Sequence, residues 1–343
     1  MPRRRGTNSM RADARIFVAG ASGLAGSALV RRLRAAGHHN LITPSHAELD
    51  LEDAQATRRF FEAERPEYVL DAAARVGGIL ANNTYPAEFI RQNLVIQTNV
   101  IHESWRVGVK RLLFLGSSCI YPRDCPQPMR EDYLMTGPLE PTNRPYAMAK
   151  IAGIEMCWSY NRQYGTRFLA VMPTNLYGLG DHYDLQNSHV LPALLRKMHE
   201  AREAGSAEVE VWGSGRPLRE FLYSDDMAEA CLFLMGLSDA AFDGVLDGHA
   251  RAPLVNIGSG AEVSIGELAR LAAKTVGCTA NLRFDSTKPD GTPRKLLDVS
   301  RLAALGWRAG TGLAQGMALA YEDFKARNQG AAPRDDKERM SVQ

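Results

Sequence analysis

Cysteine is scarce in this chain: five in 343 residues, at positions 119, 125, 157, 231 and 278. None forms a Cys-x-x-Cys pair, and an odd number cannot close completely into internal disulfides. The pattern argues against a disulfide-stapled scaffold, suggests no metal site, and fits reduced thiols in a cytoplasm. Long apolar runs are missing too, since no uncharged stretch approaches the roughly 18 residues a spanning helix needs. Arg3-Arg4-Arg5 before an apolar segment mimics a signal peptide, but Arg11, Asp13 and Arg15 interrupt it, and Ile16–Ala19 reads better as a first strand. Charge of one sign is absent: 41 basic and 39 acidic residues leave a net charge of +2. Neither nucleic acid nor an anionic membrane is therefore an expected partner. No internal repeat or low-complexity tract stands out.

What is present is an alternation of short apolar runs with amphipathic segments. Arg15–Ala19, Asn40–Thr43, Tyr68–Ala73, Arg111–Gly116 and Arg167–Val171 read as strands. Between them Leu24–Ala36, Asp53–Glu64, Ala87–Val107 and Pro145–Tyr164 read as helices, the first closed by Gly37, and proline-rich Cys119–Arg144 reads as a loop. This rhythm predicts an α/β fold with a Rossmann-type, doubly wound parallel sheet. Beyond Gly180 it breaks. Val190–Ala204, Ser224–Leu237 and Leu268–Val276 read as helices, the last behind a Ser264/Glu267 capping box, and Ser300 is expected to cap a short helix ending at Gly306. Val209–Trp212 reads as a strand, and Leu254–Ile257 as one returning to the main sheet. The expected domains are residues 11–180 plus about 220–258 for a dinucleotide, and about 181–219 plus 259–327 as a smaller α/β substrate lobe, with tails at 1–10 and 328–343.

The first strand runs into Gly20-Ala-Ser-Gly23-Leu-Ala-Gly26 and then a helix, the context a dinucleotide fingerprint requires. Gly20 allows the tight turn, Gly23 lets backbone approach the pyrophosphate, and Gly26 lets helix pack on strand. The helix N-terminus adds free N–H groups for phosphate. A ribose-binding carboxylate is missing from Thr43-Pro44-Ser45-His46, and no acid appears until Glu48. Its absence favours NADP(H), modestly, because no arginine stands ready for a 2′-phosphate either; Ser22, Ser45 and His46 are the weaker candidates.

Tyr146 and Lys150 stand one helical turn apart, so both emerge on one face. A lysine ammonium beside a phenol is expected to lower its pKa and make it a proton donor and acceptor near neutrality. Ser117, at the end of a buried strand, can hydrogen-bond the same carbonyl oxygen. Together they predict proton-coupled hydride transfer at a carbonyl.

The glycine spacing, Asp71-Ala-Ala-Ala74 and the Tyr-x-x-x-Lys pair resemble extended short-chain dehydrogenases/reductases. A narrower resemblance covers roughly residues 14–325. Val76–Pro86, Leu115-Gly-Ser-Ser-Cys-Ile-Tyr-Pro122, Leu139-Glu-Pro-Thr-Asn143, Met172–Gly178, Asn187-Ser-His-Val190 and Lys288–Lys295 look like the GDP-L-fucose synthase family, the GDP-4-keto-6-deoxy-D-mannose 3,5-epimerases/4-reductases. The resemblance implies that Cys119 and His189 form an acid/base couple at sugar carbons C3 and C5. Tyr146, assisted by Lys150 and Ser117, would then protonate O4 as NADPH reduces C4. It implies NADP(H) contacts from Gly20, Ala21, Ser22, Gly23, Leu24, Ala25, Gly26, Leu115, Gly116, Ser118, Lys150, Pro173, Thr174, Asn175, Leu176 and His189. It implies substrate contacts from Lys197, Trp212, Arg219 and Asp290, with GDP-4-keto-6-deoxy-D-mannose as substrate. Lys197 stands where relatives carry arginine, which keeps the charge but loses the fork. A homodimer through Ala87–Val107 and Pro145–Tyr164 is also implied. Two alternatives stay open: another GDP-4-keto sugar, such as a 3,6-dideoxy or heptose relative, and a nucleotide-sensing scaffold without turnover. The presence of all five reaction residues counts against the second.

Overall fold

Alternate residues of the first strand face opposite ways, and both sides are apolar, so the strand is stable only with helices on each side. The computed structural model describes residues 10–185, 188–247, 253–288 and 290–329. Of the expected tails, Met10 is buried and residues 328–329 continue a helix; the rest, with Asn187 and Pro289 of the quoted strings, lies outside the described residues. The first half runs β1 (Ile16–Ala19), α1 (Leu24–Ala35), β2 (Leu41–Ile42), α2 (Ala54–Glu64), β3 (Tyr68–Asp71), α3 (Ile79–Thr84), α4 (Pro86–Arg106), β4 (Arg111–Leu115), α5 (Arg144–Tyr164) and β5 (Phe168–Pro173). Then follow β6 (Asn175–Tyr177), α6 (Val190–Glu203), β7 (Glu208–Trp212), β8 (Leu218–Tyr223), α7 (Ser224–Met235), α8 (Asp239–Asp247) and β9 (Leu254–Ile257). The chain closes with β10 (Glu262–Ser264), α9 (Ile265–Val276), β11 (Asn281–Asp285), β12 (Arg294–Lys295), α10 (Ser300–Leu305) and α11 (Leu313–Gln329).

Six strands form one parallel sheet in the order β2-β1-β3-β4-β5-β9, with β9 returning to pair with β5 as expected. Ile16 and Val18 of β1 point into a core shared with α1 and α7, whereas Phe17 and Ala19 point into one shared with α2, α4 and α5. The strand order reverses between β1 and β3, and ligands of such sheets bind in the crevice at the carboxyl ends flanking that point. A second assembly holds β8 between β10 and β12, with β6 also pairing β8, and β7 pairs β11. α6, α9 and α11 cover these strands with a third apolar core.

Glu220 joins the two assemblies. It is fully buried, and its carboxylate accepts N–H bonds from Gly260, just beyond β9, at 2.7 Å and from Leu297, just beyond β12, at 3.0 Å. Its backbone oxygen accepts from Thr174 and Asn175 at 3.2 and 2.8 Å. Burial pushes its carboxyl pKa up while these donors oppose the shift.

Several elements depart from expectation. β8 escapes a pattern search because Arg219 and Glu220 interrupt its apolar residues. The 119–144 loop contains three 3₁₀ turns, at Ser118–Ile120, Glu131–Tyr133 and Pro141–Asn143. Strands β6, β10, β11 and β12 and helices α3, α8 and α11 were likewise not foreseen. Ser300 does not cap α10: it is the first helical residue, and Asp298 accepts its N–H at 2.8 Å. The capping box at Ser264 is present, with α9 beginning at Ile265.

Helices α4 and α5 meet where Gly153 leaves room. A Cβ there would lie 2.5 Å from the Phe114 ring and 3.0 Å from Gln97 Oε1. Gln97 itself donates to the Ala149 carbonyl at 2.6 Å, so neither neighbour can yield freely. Gly153→Val is expected to cost about 1–3 kcal/mol, the range for overpacking a filled core. A lowered urea midpoint would register it, and an unchanged midpoint would show that the contact is soft.

Candidate active site

The loop after β1 owes its shape to glycine at two points. Gly20 has φ of +73°, and a Cβ there would sit 2.8 Å from Ala73 Cα. At Gly26 a Cβ would come within 2.0 Å of the Gly20 carbonyl oxygen, so α1 packs against the loop only with no side chain there. Gly23, by contrast, has open space around it, with nothing nearer than 3.5 Å to an added Cβ, and it is the N-cap of α1. Turn, open cradle and helix N-terminus are what a dinucleotide pyrophosphate requires. The loop forms one wall of a cleft of about 950 Å³ that extends to the second strand assembly. Of the residues that the family resemblance implies for cofactor, substrate and catalysis, Ala21 alone does not line it; this residue packs towards the core beside α1. Ser22 lines the cleft, but Ser45 and His46 do not, and the Ser45 hydroxyl is committed to Glu48 at 2.8 Å.

Pro145 in the first turn of α5 sets the helix start, placing Tyr146 and Lys150 on the face towards the cleft. Lys150 is buried, donates to the Leu115 carbonyl at 2.9 Å, and sits over the Phe114 ring at 4.6 Å. Burial lowers its pKa to about 8, while the charge of Asp71 opposes the shift. The phenol differs from expectation. Burial pushes the Tyr146 pKa up, the Cys119 side chain adds to this, and a hydrogen bond with Ser117 only partly opposes it. Lys150 is 5.9 Å from the Tyr146 ring and tied to the backbone, so desolvation outweighs it. Tyr146 is thus a neutral proton donor in the protein.

Ser117 turns the chain after β4, its Oγ accepting the Cys119 N–H at 3.3 Å. Cys119 Sγ is approached by Asn143 Nδ2 at 3.3 Å and Lys295 Nζ at 3.8 Å. His189, the N-cap of α6, faces the same cleft, and the surrounding protein lowers its imidazole pKa, which keeps it neutral and able to accept a proton. At the far end, Trp212 is 58% exposed, with Lys197 and Lys288 at 5.0 and 5.6 Å from its ring centroid. An exposed indole offers a stacking face for a planar base. Asp290 accepts both the Ser214 N–H and hydroxyl, at 2.8 and 2.6 Å, and so shapes the loop after Trp212. Asp71, Asn143 and Lys295 stand within strings that carry the resemblances, but the sequence assigns none of them a role, and nothing local marks Asn143 and Lys295 as facing a thiol.

A profile of the NAD dependent epimerase/dehydratase family matches residues 16–245. The chain belongs to that family. It is 54% identical to a putative GDP-L-fucose synthase 2 of Arabidopsis thaliana, over 92% of this chain and 93% of that protein. It is 51% identical to the GDP-L-fucose synthase of Escherichia coli K12, over 90% and 96%. Among solved structures, a GDP-D-glycero-L-gluco-heptose synthase from Campylobacter jejuni, determined in the presence of NADPH, superposes with a TM-score of 0.86 at 37% identity, covering 92% of this chain and 99% of that one. These relatives bear out the resemblance carried by the Cys119 and His189 strings.

Asp71 generates a prediction. Its carboxyl pKa is raised by burial to about 6, and the Lys150 charge opposes that rise. Replacing it by neutral Asn removes the attraction that helps Lys150 keep its proton, so Lys150 falls below about 8. In Asp71→Asn the alkaline limb of the kcat/KM profile for ketone reduction should move towards neutral pH. A limb that stays in place would separate Asp71 from the reaction.

Proposed function

We propose that this chain converts GDP-4-keto-6-deoxy-D-mannose to GDP-L-fucose by epimerisation at C3 and C5 followed by NADPH-dependent reduction at C4. The observation that carries this reading is the thiol of Cys119 beside Ser117 and Tyr146, in a cleft that also holds His189. A reductase alone has no use for a second proton-transfer couple.

The ketone at C4 acidifies the hydrogens on C3 and C5. Ser117 and Tyr146 hydrogen-bond its oxygen, so charge that gathers there as the enolate forms meets donors already in place. Cys119 and His189 remove and return protons on opposite faces of the ring, inverting each centre. Gly20–Gly26, Leu115, Gly116, Ser118 and Pro173–Leu176 would hold NADPH, which would supply a hydride to C4. Tyr146, neutral through burial, gives its proton to O4, and the Lys150 ammonium stabilises the phenolate that remains. Residues 181–219 and 259–327 form the substrate lobe, with Trp212, Lys197, Arg219 and Asp290 holding the GDP end. Lys150 also binds the cofactor in this reading, as does His189.

A second reading changes only the sugar. The likeness to a heptose synthase favours a GDP-4-keto-heptose, and product stereochemistry after incubation with each sugar and NADPH distinguishes them.

The enzyme is read as a cytoplasmic homodimer through α4 and α5, where Met148 and Tyr164 are exposed and Tyr164 stacks on Trp105. Among the described residues no helix is long and apolar enough to cross a membrane. Sedimentation at twice the 37.7 kDa chain mass is expected, and a monomer at micromolar concentration contradicts the dimer.

With oxidised cofactor present in heavy water, Cys119→Ala and His189→Asn should suppress deuterium uptake at C3 and C5; with NADPH in its place, both should retain slow reduction of the unepimerised ketone. Misplacement of the ring can cost about 100-fold. Tyr146→Phe should lose reduction but keep NADPH binding. Normal exchange at both carbons in the double variant would remove the epimerase assignment.

A further inference from the structure

We propose that Lys295 is a positioning residue for proton transfer: its ammonium, brought across the cleft on β12, stabilises the thiolate that Cys119 forms when its proton passes to substrate carbon. This rests on the reading of Cys119 as half of the proton-transfer couple. Lys295 Nζ lies 3.8 Å from Cys119 Sγ, and the Asn143 amide approaches the same sulfur at 3.3 Å. Among the described residues no carboxylate forms an ion pair with Lys295, so its charge is not spent elsewhere. It also lines the cleft. A sulfur met by one cation and one N–H donor has partners in place for the negative charge left when its proton goes to carbon.

The backbone that carries this side chain is held on both sides. Lys295 is in register with Arg219 of β8. On one side Leu218 N–H bonds the Pro293 carbonyl at 2.9 Å. On the other, Leu296 N–H bonds Gln127 Oε1 at 2.9 Å, and Leu297 N–H bonds the buried Glu220 at 3.0 Å. Met129 N–H closes on the Leu296 carbonyl at 2.7 Å. Cys125 also feels the Lys295 charge, but burial pushes its thiol pKa up, and it does not line the cleft. Cys119 is thus the sulfur that Lys295 serves.

The chemistry balances as follows. At each inverted carbon the C–H bond breaks towards the His189 imidazole, and its electrons move to the C4 oxygen as an enolate. The C–H bond re-forms with the proton of Cys119, whose S–H electrons remain as the thiolate beside Lys295. Proton exchange with water restores both groups before the second carbon reacts. Exchanging the two roles leaves a thiolate in the cycle and the same need for the cation.

The test uses the full-length enzyme with oxidised cofactor, and reads deuterium uptake at C3 and C5 together with the rate at which iodoacetamide alkylates Cys119 at pH 7, mapped by peptide mass. Lys295→Met is expected to lower the exchange kcat about 100-fold, the lower end of the range for a lost charge-stabilising donor. Alkylation should slow with it, KM should change little, and Lys295→Arg should restore most of both rates. A rise in KM with exchange kcat and alkylation unchanged would make Lys295 a substrate-binding group and overturn the proposal. So would wild-type exchange and alkylation in Lys295→Met when Cys119→Ala abolishes exchange. Undiminished exchange in Cys119→Ala fails a different claim, the proton-transfer role of the thiol itself. Loss of both rates in Lys295→Met and Lys295→Arg alike, with a lowered urea midpoint in each, would show a structural role and also overturn the proposal.

Discussion

A single buried carboxylate ties the molecule together. Glu220 has no exposure to water, yet its oxygens collect N–H groups from beyond β9 and from beyond β12, while its backbone carbonyl collects side chains that follow β5. A buried carboxylate persists only where hydrogen bonds replace its lost hydration. Gly258 fits beside it because it has no side chain: a Cβ there would fall 2.3 Å from Glu220 Oε1. The parallel sheet and the second assembly therefore meet through polar chemistry, and the cleft opens along that seam.

The parts of the fold visible in the sequence were those that short-range rules govern. Gly20, Gly23 and Gly26 declare themselves within seven residues, since the positive φ of Gly20 and the approach of Gly26 to the Gly20 carbonyl are local, although Ala73 also limits the space at Gly20. The core strands β3, β4 and β5 are apolar on both faces and stand between turn signals. β8 obeys neither rule. Arg219 and Glu220 spoil its pattern, and Glu220 takes its backbone N–H bonds from groups 40 and 77 residues further on. The same holds for the site. Tyr146 and Lys150 share a helical turn, but Lys295 and Cys119 are 176 residues apart, and long-range pairing unites them, of β12 with β8 and of Leu296 with Met129 and Gln127.

Electrostatically the cleft is graded. Around Tyr146 and Lys150 desolvation rules, raising the phenol and lowering the ammonium. Near Trp212 the cations of Lys197 and Lys288 lie against an exposed ring, in a setting suited to a charged, planar nucleotide. The expected depression of the Tyr146 pKa fails for a reason sequence spacing cannot report, namely that burial of the phenol raises it more than the hydrogen bond with Ser117 lowers it.

Ser117 touches both proposed chemistries. Its oxygen accepts the Cys119 N–H and lies in hydrogen-bond reach of Tyr146, so the geometry of the thiol and the grip on the ketone oxygen are set by one turn of chain. In the proposed reaction the oxygen held during enolate formation is therefore the one protonated at the end. The sugar has no need to turn over between stages, and a half-inverted ring gains nothing by leaving. Commitment of the substrate to the full sequence is then a property of where one hydroxyl sits.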